Sequence, residues 1–526
     1  MKKVLVLILT LCFFSSMVHG DVSWASPVTI STALTNASDP HTVIDSNGNA
    51  TAVWVENNHI KASSLPFGGS WSTPVTLSNV LNTASTPKLG IDSSGNVTAL
   101  WIENTVIESA TLPFGGSWSA ESLPISGLGA SSPSLTVDSS GHAVAVWVRS
   151  GFIESSTRIA GLWSLVSVLS AANSDNPHVA ISSFGQAIAA WHSVVSGSDV
   201  IVTDLLTIAT NTWGLTKNVF TATASIHHNY PKVALDASGN AAIAWFRYNL
   251  VDSNAYENVQ VVTATLTQGS SAWGSLTLLS SPAIRNPADL TIKLGFDVSG
   301  NLLAVWTNSV DGESFDIESS LKLFGGSFQN AISFTGPGIY NLAMDVAIAS
   351  GTALVTNMAW DGVSTIVMQS QQTDTTDPIL QRWTFVNTFS TGDDNGYPKC
   401  ALSLTGSTFN AVAVWISFNG VNNVIQAATG TDTAIVPPSS VTASQSNTNF
   451  GVYDDFYNTI TWAASTDPDL IQYNIYRNGV YFTATDPSTL SFVDHNQING
   501  GTVTYGVGAL TSEFRQSAII TYTLFP

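Results

Sequence analysis

Along most of the chain, short runs of apolar and small residues, some holding a Thr, end in a tryptophan, as in Ala50-Thr-Ala-Val-Trp54, Val97-Thr-Ala-Leu-Trp101 and Ala143-Val-Ala-Val-Trp147. Runs of this length rich in Val, Ile and Thr, bounded by Gly, Asn and Asp, predict β-strands. The same setting returns at Trp191, Trp245, Trp306, Trp360 and Trp415, giving eight copies. A motif that recurs at this spacing marks a repeat architecture, in which each unit buries its apolar faces against its neighbours.

Each unit reads as four short strands joined as a meander. Ahead of the tryptophan run lies a turn of the form Asp-x-x-Gly, at Asp45 to Gly48, Asp92 to Gly95, Asp138 to Gly141, Asp236 to Gly239 and Asp297 to Gly300. Asp caps such a turn and Gly accepts the positive φ that it needs. A second hairpin carries Gly68-Gly69, Gly115-Gly116 and Gly325-Gly326. Four-stranded meanders repeated in this way predict an all-β, eight-bladed β-propeller over residues 21-433, with a seven-bladed ring as the alternative. Trp24, in Ser-Trp-Ala-Ser-Pro-Val-Thr-Ile-Ser, belongs to the outermost-strand motif yet precedes the first inner strand, while the last unit lacks that strand. The N-terminal strand is therefore expected to complete the last blade.

After Pro437-Pro438 the pattern changes. The strand ending at Trp462, the Tyr473-x-Ile-Tyr476-Arg-Asn-Gly hairpin and the late strand around Tyr505 resemble a fibronectin type III domain. The resemblance implies a seven-stranded sandwich over residues 434-526, usually a spacer or adhesive unit.

Composition narrows the setting. Lys2 and Lys3 precede an apolar run from Val4 to Phe14 and then small and polar residues to Gly20, the pattern of a secretory signal peptide over residues 1-20. No other segment reaches the length that a transmembrane helix needs, so the expected protein is exported: extracellular, at the cell surface or periplasmic. Beyond Cys12 the chain holds only Cys400, which leaves no pair for an internal disulfide. A formal charge of −20 disfavours a nucleic-acid partner, since phosphate recognition needs clustered Lys and Arg.

Four-stranded meanders put the uniform Asp-x-x-Gly and Gly-Gly turns on one face of the ring and the variable connections on the other, which becomes the expected functional face. The variable connections are longest between Trp191 and Trp360. They gather His192, Asp199, His227, His228, Tyr230, Arg247, Tyr248, Tyr256, Glu257, Arg285, Asp289, Asp311 and Glu313 on one sector. Aromatic faces flanked by carboxylates and guanidinium groups suit a sugar or a polypeptide. Ten of these, His227, His228, Tyr230, Arg247, Tyr248, Tyr256, Glu257, Arg285, Asp311 and Glu313, form the candidate ligand site. Metal-ligand spacings are absent, so no metal or cofactor is expected.

The ring also resembles, in a generic way, secreted bacterial proteins with sialidase-like or lectin-like propellers. That resemblance implies either a non-catalytic binding or adhesion protein for an extracellular glycan or protein, or a sialidase-like glycoside hydrolase. A structural surface protein is the third reading. A sialidase would need an arginine triad, for which Arg149, Arg247 and Arg285 are the loop candidates. The Asp turns depart from the sialidase Asp-box, because Trp54 lies six residues beyond Gly48. The binding reading is the expected one, with no catalytic residue assigned.

Overall fold

The computed structural model describes residues 22–120, 124–183, 185–222, 226–252, 255–285, 291–308, 316–334, 340–349, 351–360, 366–374, 383–392, 396–405, 408–433, 436–467, 470–511, 517 and 519–525. The fold is all-β, built from small antiparallel sheets, with one short 3-10 turn at Ile208–Thr210. The chain divides into two compact units, one of them Val22–Ala434, the other containing Ile435–Pro526.

In the larger unit, successive meander sheets begin with the strands Ala37–Ile44, Ala84–Ile91, Ala130–Val137, Ser174–Ile181, His227–Leu235, Ile292–Phe296, Tyr340–Ala349 and Gly396–Thr405. We number the sheets 1 to 8 in that order. Each first strand packs on the first strand of the next sheet, and that of sheet 8 packs on that of sheet 1, so the sheets close into a cycle. Sheet 8 contains strands from both ends of the unit. Ser23 and Trp24 pair with Thr431 and Gly430, and Val28 and Thr29 pair with Ala427 and Gln426.

The repeated turns are explained by their hydrogen bonds. In sheet 1, Asp45 Oδ1 accepts from the backbone N–H groups of Asn47 and Asn49, and its Oδ2 accepts from Asn49 Nδ2 at 2.8 Å. Asn49 Oδ1 in turn accepts from the N–H of Phe67 in the Gly-Gly hairpin, so one Asp-Asn pair ties the two hairpins of a sheet together. The same construction recurs at Asp92 with Asn96, Asp236 with Asn240 and Asp297 with Asn301. Gly48 sits at φ +84°, and a Cβ there would stand 2.7 Å from the Phe67 ring. Glycine is required on both counts.

The tryptophans Trp54, Trp101, Trp147, Trp191, Trp245, Trp306 and Trp415 are fully buried between neighbouring sheets. A buried indole N–H needs an acceptor. Trp54 donates to Glu56, Trp101 to Glu103, Trp147 to Glu154, Trp191 to Ser193, Trp245 to His228 and Trp306 to Glu318, at 2.8 to 3.1 Å. The buried carboxylates of Glu56, Glu103 and Glu154 are thereby accounted for without a ligand. Glu103, for example, also accepts from Asn82 Nδ2 and the N–H of Asn79.

Sheet 7 corrects the reading of the repeat. The residue before each tryptophan pairs with one fixed position of the first strand: Val53 with His41, Leu100 with Lys88, Val305 with Lys293 and Val414 with Lys399. In sheet 7 the pair is Thr356 with Asp345, which puts Asn357, and not Trp360, at the tryptophan position. The six-residue offset from Gly351 to Asn357 matches that from Gly48 to Trp54. Asn357 is fully buried there.

The smaller unit holds two sheets. One contains Val441–Asn449, Asp454–Trp462 and Ser491–Asp494; the other contains Val480–Thr485, Leu470–Arg477, Val503–Thr511 and Ile520–Leu524. Val441, Ile460 and Trp462 from the first meet Tyr473, Ile475, Tyr505 and Val507 from the second in one apolar core. Tyr505 donates its hydroxyl hydrogen to Asp494 at 2.7 Å, and Arg477 pairs with the same carboxylate.

Candidate functional site

Six of the first strands, those of sheets 1 to 5 and 8, carry an irregularity just ahead of this fixed position. Register shifts occur between Ser38 and His41, Ser85 and Lys88, Ser131 and Ser134, Asp175 and His178, Asn229 and Lys232, and Gly396 and Lys399. In each, a non-glycine residue takes positive φ, at Asp39, Thr86, Ser132, Asn176, Tyr230 and Tyr397. A proline follows every one of them. Proline has no N–H to give to a ladder and is accepted at a bulge, and the bulge re-aims the side chain after it. Positive φ is costly for these residues, so the conformation is imposed by the surrounding structure.

The re-aimed residues face one central cavity of about 390 Å³. Reading around the cycle from sheet 1, the equivalent positions are His41, Lys88, Ser134, His178, Lys232, Lys293, Asp345 and Lys399, all in its lining. Asn176 and Tyr230 also line it. Four of the nine lysines in this acidic chain therefore meet at the centre of the ring. Lys293 is paired with Asp345 at 2.5 Å, while Lys88, Lys232 and Lys399 form no ion pair among the described residues.

The electrostatics follow from crowding. Desolvation, and then repulsion from the other lysines, lowers Lys88 and Lys232 to about 8, and desolvation lowers Lys399 as well. Burial also opposes the charge of Lys293, but Asp345 outweighs it and holds that lysine above its ordinary value. Desolvation, assisted by the lysines, drops His41 to about 3 and His178 well below its usual range, so both imidazoles are neutral. His178 Nδ1 accepts from the N–H of Val233, which leaves Nε2 as its donor.

The described residues among those nominated from the sequence lie on sheets 4 and 5, at the ends of strands remote from the Asp turns. The surplus residues after Trp191 and Trp245 do not form loops. They lengthen hairpins, Gln186–Val195 with Ser198–Thr207 and Ala241–Asp252 with Ala255–Leu266. Continued cross-strand pairing, such as Arg247 with Gln260 and Leu250 with Tyr256, keeps these segments extended.

His228, Tyr248 and Tyr256 are buried, contrary to a role on the ligand-facing surface. His228 accepts from the Trp245 indole. Tyr248 stacks on Tyr256 with centroids 4.0 Å apart, and His227 stacks on the outer side of Tyr248 at 5.7 Å. Tyr230, Arg247 and His227 are partly accessible and Glu257 is exposed. Arg285 has a backbone position, paired with Tyr256, but its side chain lies outside the described residues, as do Asp289, Asp311 and Glu313. Arg149 is held bidentately by Glu154 within sheet 3. Convergence of Arg149, Arg247 and Arg285 is thus not found among the described residues.

Beside Tyr230, a chain of charges joins sheets 4 and 5. His192 Nδ1 lies 2.9 Å from Asp175, its Nε2 lies 3.2 Å from Asp199, and Asp199 also meets His227 Nδ1 at 2.9 Å. Burial alone would lower His192, but the two carboxylates overcome it and raise the imidazole to about 9. Desolvation likewise opposes the charge of Asp199, and its partners bring it down to about 2. A histidine raised by folding stabilises fully below its unfolded value of 6.5, and that contribution disappears as pH climbs toward 9. Between pH 6.5 and 8 the melting temperature should therefore fall, and His192→Gln should flatten that slope. The effect is on the order of 1–2 kcal/mol once screening at the half-exposed Asp175 is allowed for. Above pH 8 the depressed lysines act oppositely, adding stability as they lose their charge. A slope unchanged by His192→Gln would assign it elsewhere.

Sequence reasoning missed the central ring, because lysine, histidine, serine and aspartate share no chemistry that a repeat search would align. The signal was the x-Pro pair ahead of each position, present in six of the sheets.

No protein-family model matches the chain, and no curated protein matches it. Among solved structures, it is similar to an ulvan lyase of polysaccharide lyase family PL25 at a TM-score of 0.45 and 9% identity, covering 77% of this chain and 95% of that one. It is also similar to prolyl oligopeptidase B from Galerina marginata, at 0.40 and 10% identity over 84% of this chain and 58% of that one. A third similarity is to the six-bladed, fucose-recognising lectin of Aleuria aurantia, at 0.33 and 12% identity over 59% of this chain and 99% of that one.

Proposed function

We propose that this chain is a secreted, non-catalytic binding protein, its signal peptide over residues 1-20 removed on export. The larger unit is read as an eight-bladed β-propeller latched by its N-terminal strand, and the smaller as a fibronectin type III module that spaces or anchors it. The ligand is an extracellular glycan, met on the face toward which the central cavity's bulged strands lead. The observation that carries the reading is that sheet 5 presents partly exposed polar groups, His227 and Arg247, on the same sheet as Tyr230, which lines a polar cavity in the size range of small-ligand sites.

A glycan array probed with the protein lacking residues 1–20 tests this. Binding to a defined set of glycans, weakened at least tenfold by the double substitution His227→Ala with Arg247→Ala, is the expected result. Absence of glycan binding, or binding that survives the double substitution, would overturn it. Retained binding by the isolated smaller unit would move the site there.

A further inference from the structure

The crowding of ammonium groups at the centre of the ring has a cost, since Lys88, Lys232 and Lys399 are desolvated and repelled by neighbouring lysines. A ring position can be filled neutrally, as Ser134 does in sheet 3. Packing therefore does not require lysine. Four cations from sheets 2, 5, 6 and 8 face the cavity against Asp345, which is committed to Lys293, and Asp39, which acts on Lys88 and Lys399 from the adjacent bulge. The four lysines are half-buried in the cavity lining, a setting that focuses their field inward. His178, fixed with Nε2 as donor, adds a neutral hydrogen bond of the right polarity.

We propose that the central cavity is a binding site for a multiply charged tetrahedral oxyanion, sulfate or phosphate, held among Lys88, Lys232, Lys293 and Lys399. A single negative charge would leave most of the repulsion in place, whereas a dianion placed between the unpaired lysines offsets it. Point-charge ammonium groups on flexible stems suit such a group, which needs no planar fork to hold it. The anion has two sources, a free inorganic ion or a sulfate or phosphate ester on a larger molecule entering from the open face. The site stands independently of glycan contacts at His227 and Arg247.

Titration calorimetry and thermal melting of the protein lacking residues 1–20, at pH 7 and constant ionic strength, test the proposal with sodium sulfate, sodium phosphate and sodium chloride. Sulfate or phosphate is expected to bind and to raise the melting temperature, with chloride at least tenfold weaker. Glucose 6-sulfate beside glucose separates the sources: tighter binding of the ester than of free sulfate assigns a conjugated anion, and the reverse assigns the free ion. Lys88→Met with Lys232→Met should weaken sulfate binding at least tenfold and raise the melting temperature without anion, because repulsion has been removed. If that double variant does not fold, Lys232→Met alone and a pH series on the unaltered protein serve instead. Sulfate affinity should fall at least tenfold between pH 7 and 9.5 as Lys88 and Lys232 discharge. Over that range Lys293 stays paired with Asp345, and His41 and His178 remain neutral. Equal response to sulfate and chloride, or sulfate binding indifferent to these lysines, would overturn the site.

Discussion

Replacing Trp24 with Ala should cost the larger unit about 3–5 kcal/mol, the range for removing a large aromatic from a packed interior. Trp24 and Val22 pack with Leu402, Ala411, Trp415 and Ala428 in the core of sheet 8. Among the described residues, their strand and the following Val28–Thr29 are the edge partners that Thr431, Gly430 and Ala427 have on that side. Gly430→Val tests the same latch from the opposite strand. A Cβ at Gly430 would stand 2.2 Å from Val22 Cγ1 and 3.1 Å from the Trp24 ring, so Val22 and the N-terminal strand must shift out of their present packing. Chemical denaturation of both variants should show a comparable loss, with residues 22–36 newly open to protease. Unchanged stability in both would mean that closure by this strand contributes nothing.

Trp101→Ala carries the second large effect, also about 3–5 kcal/mol. Trp101 is fully buried with Val53, Ile60, Leu89 and Ala110, between sheets 1 and 2. Trp101→Phe separates packing from polarity. It keeps most of the ring volume but removes the indole donor to Glu103, whose carboxylate remains buried with Asn82 and Asn79. Loss of one charge-assisted hydrogen bond corresponds to about 1.5–3 kcal/mol. Equilibrium unfolding of the two variants should rank Ala below Phe below the natural protein. Equal stability of Phe and Trp would remove the indole–carboxylate bond from the account of the buried glutamates.

That a tryptophan stands at this position in every sheet but the seventh explains why the repeat was readable, and sheet 7 shows where such reading fails. A buried position copied around a ring keeps its size and polarity, so Trp54 and Trp101 announce themselves. At Asn357 the copy has become polar, and the nearby Trp360 drew the register three residues away. The Asp turns were legible because their hydrogen bonds admit few residue types, as Asp45 and Gly48 show. Loop lengths misled at Trp245, since extra residues extended a hairpin whose inward side chains, Tyr248 and Tyr256, became core. The axial lysines were hidden for the opposite reason. Lysine fills only four of the eight positions, and the feature shared more widely is the bulge that precedes six of them.

The latch also governs the order in which the chain can become whole during synthesis. The N–H of Ile425 donates to the hydroxyl of Ser31 across 394 residues of sequence. Contacts of such separation form late, because the intervening chain must first be ordered. The first residues of the unit must therefore wait, unpaired, until its last hairpin has been made. A nascent chain halted short of Val424 would present sheets 1 to 7 with open ends, and a protease acting on the waiting segment would produce the same lesion after the fact. Completion of the ring is thus a test, built into the chain itself, that synthesis has passed the last hairpin of the larger unit.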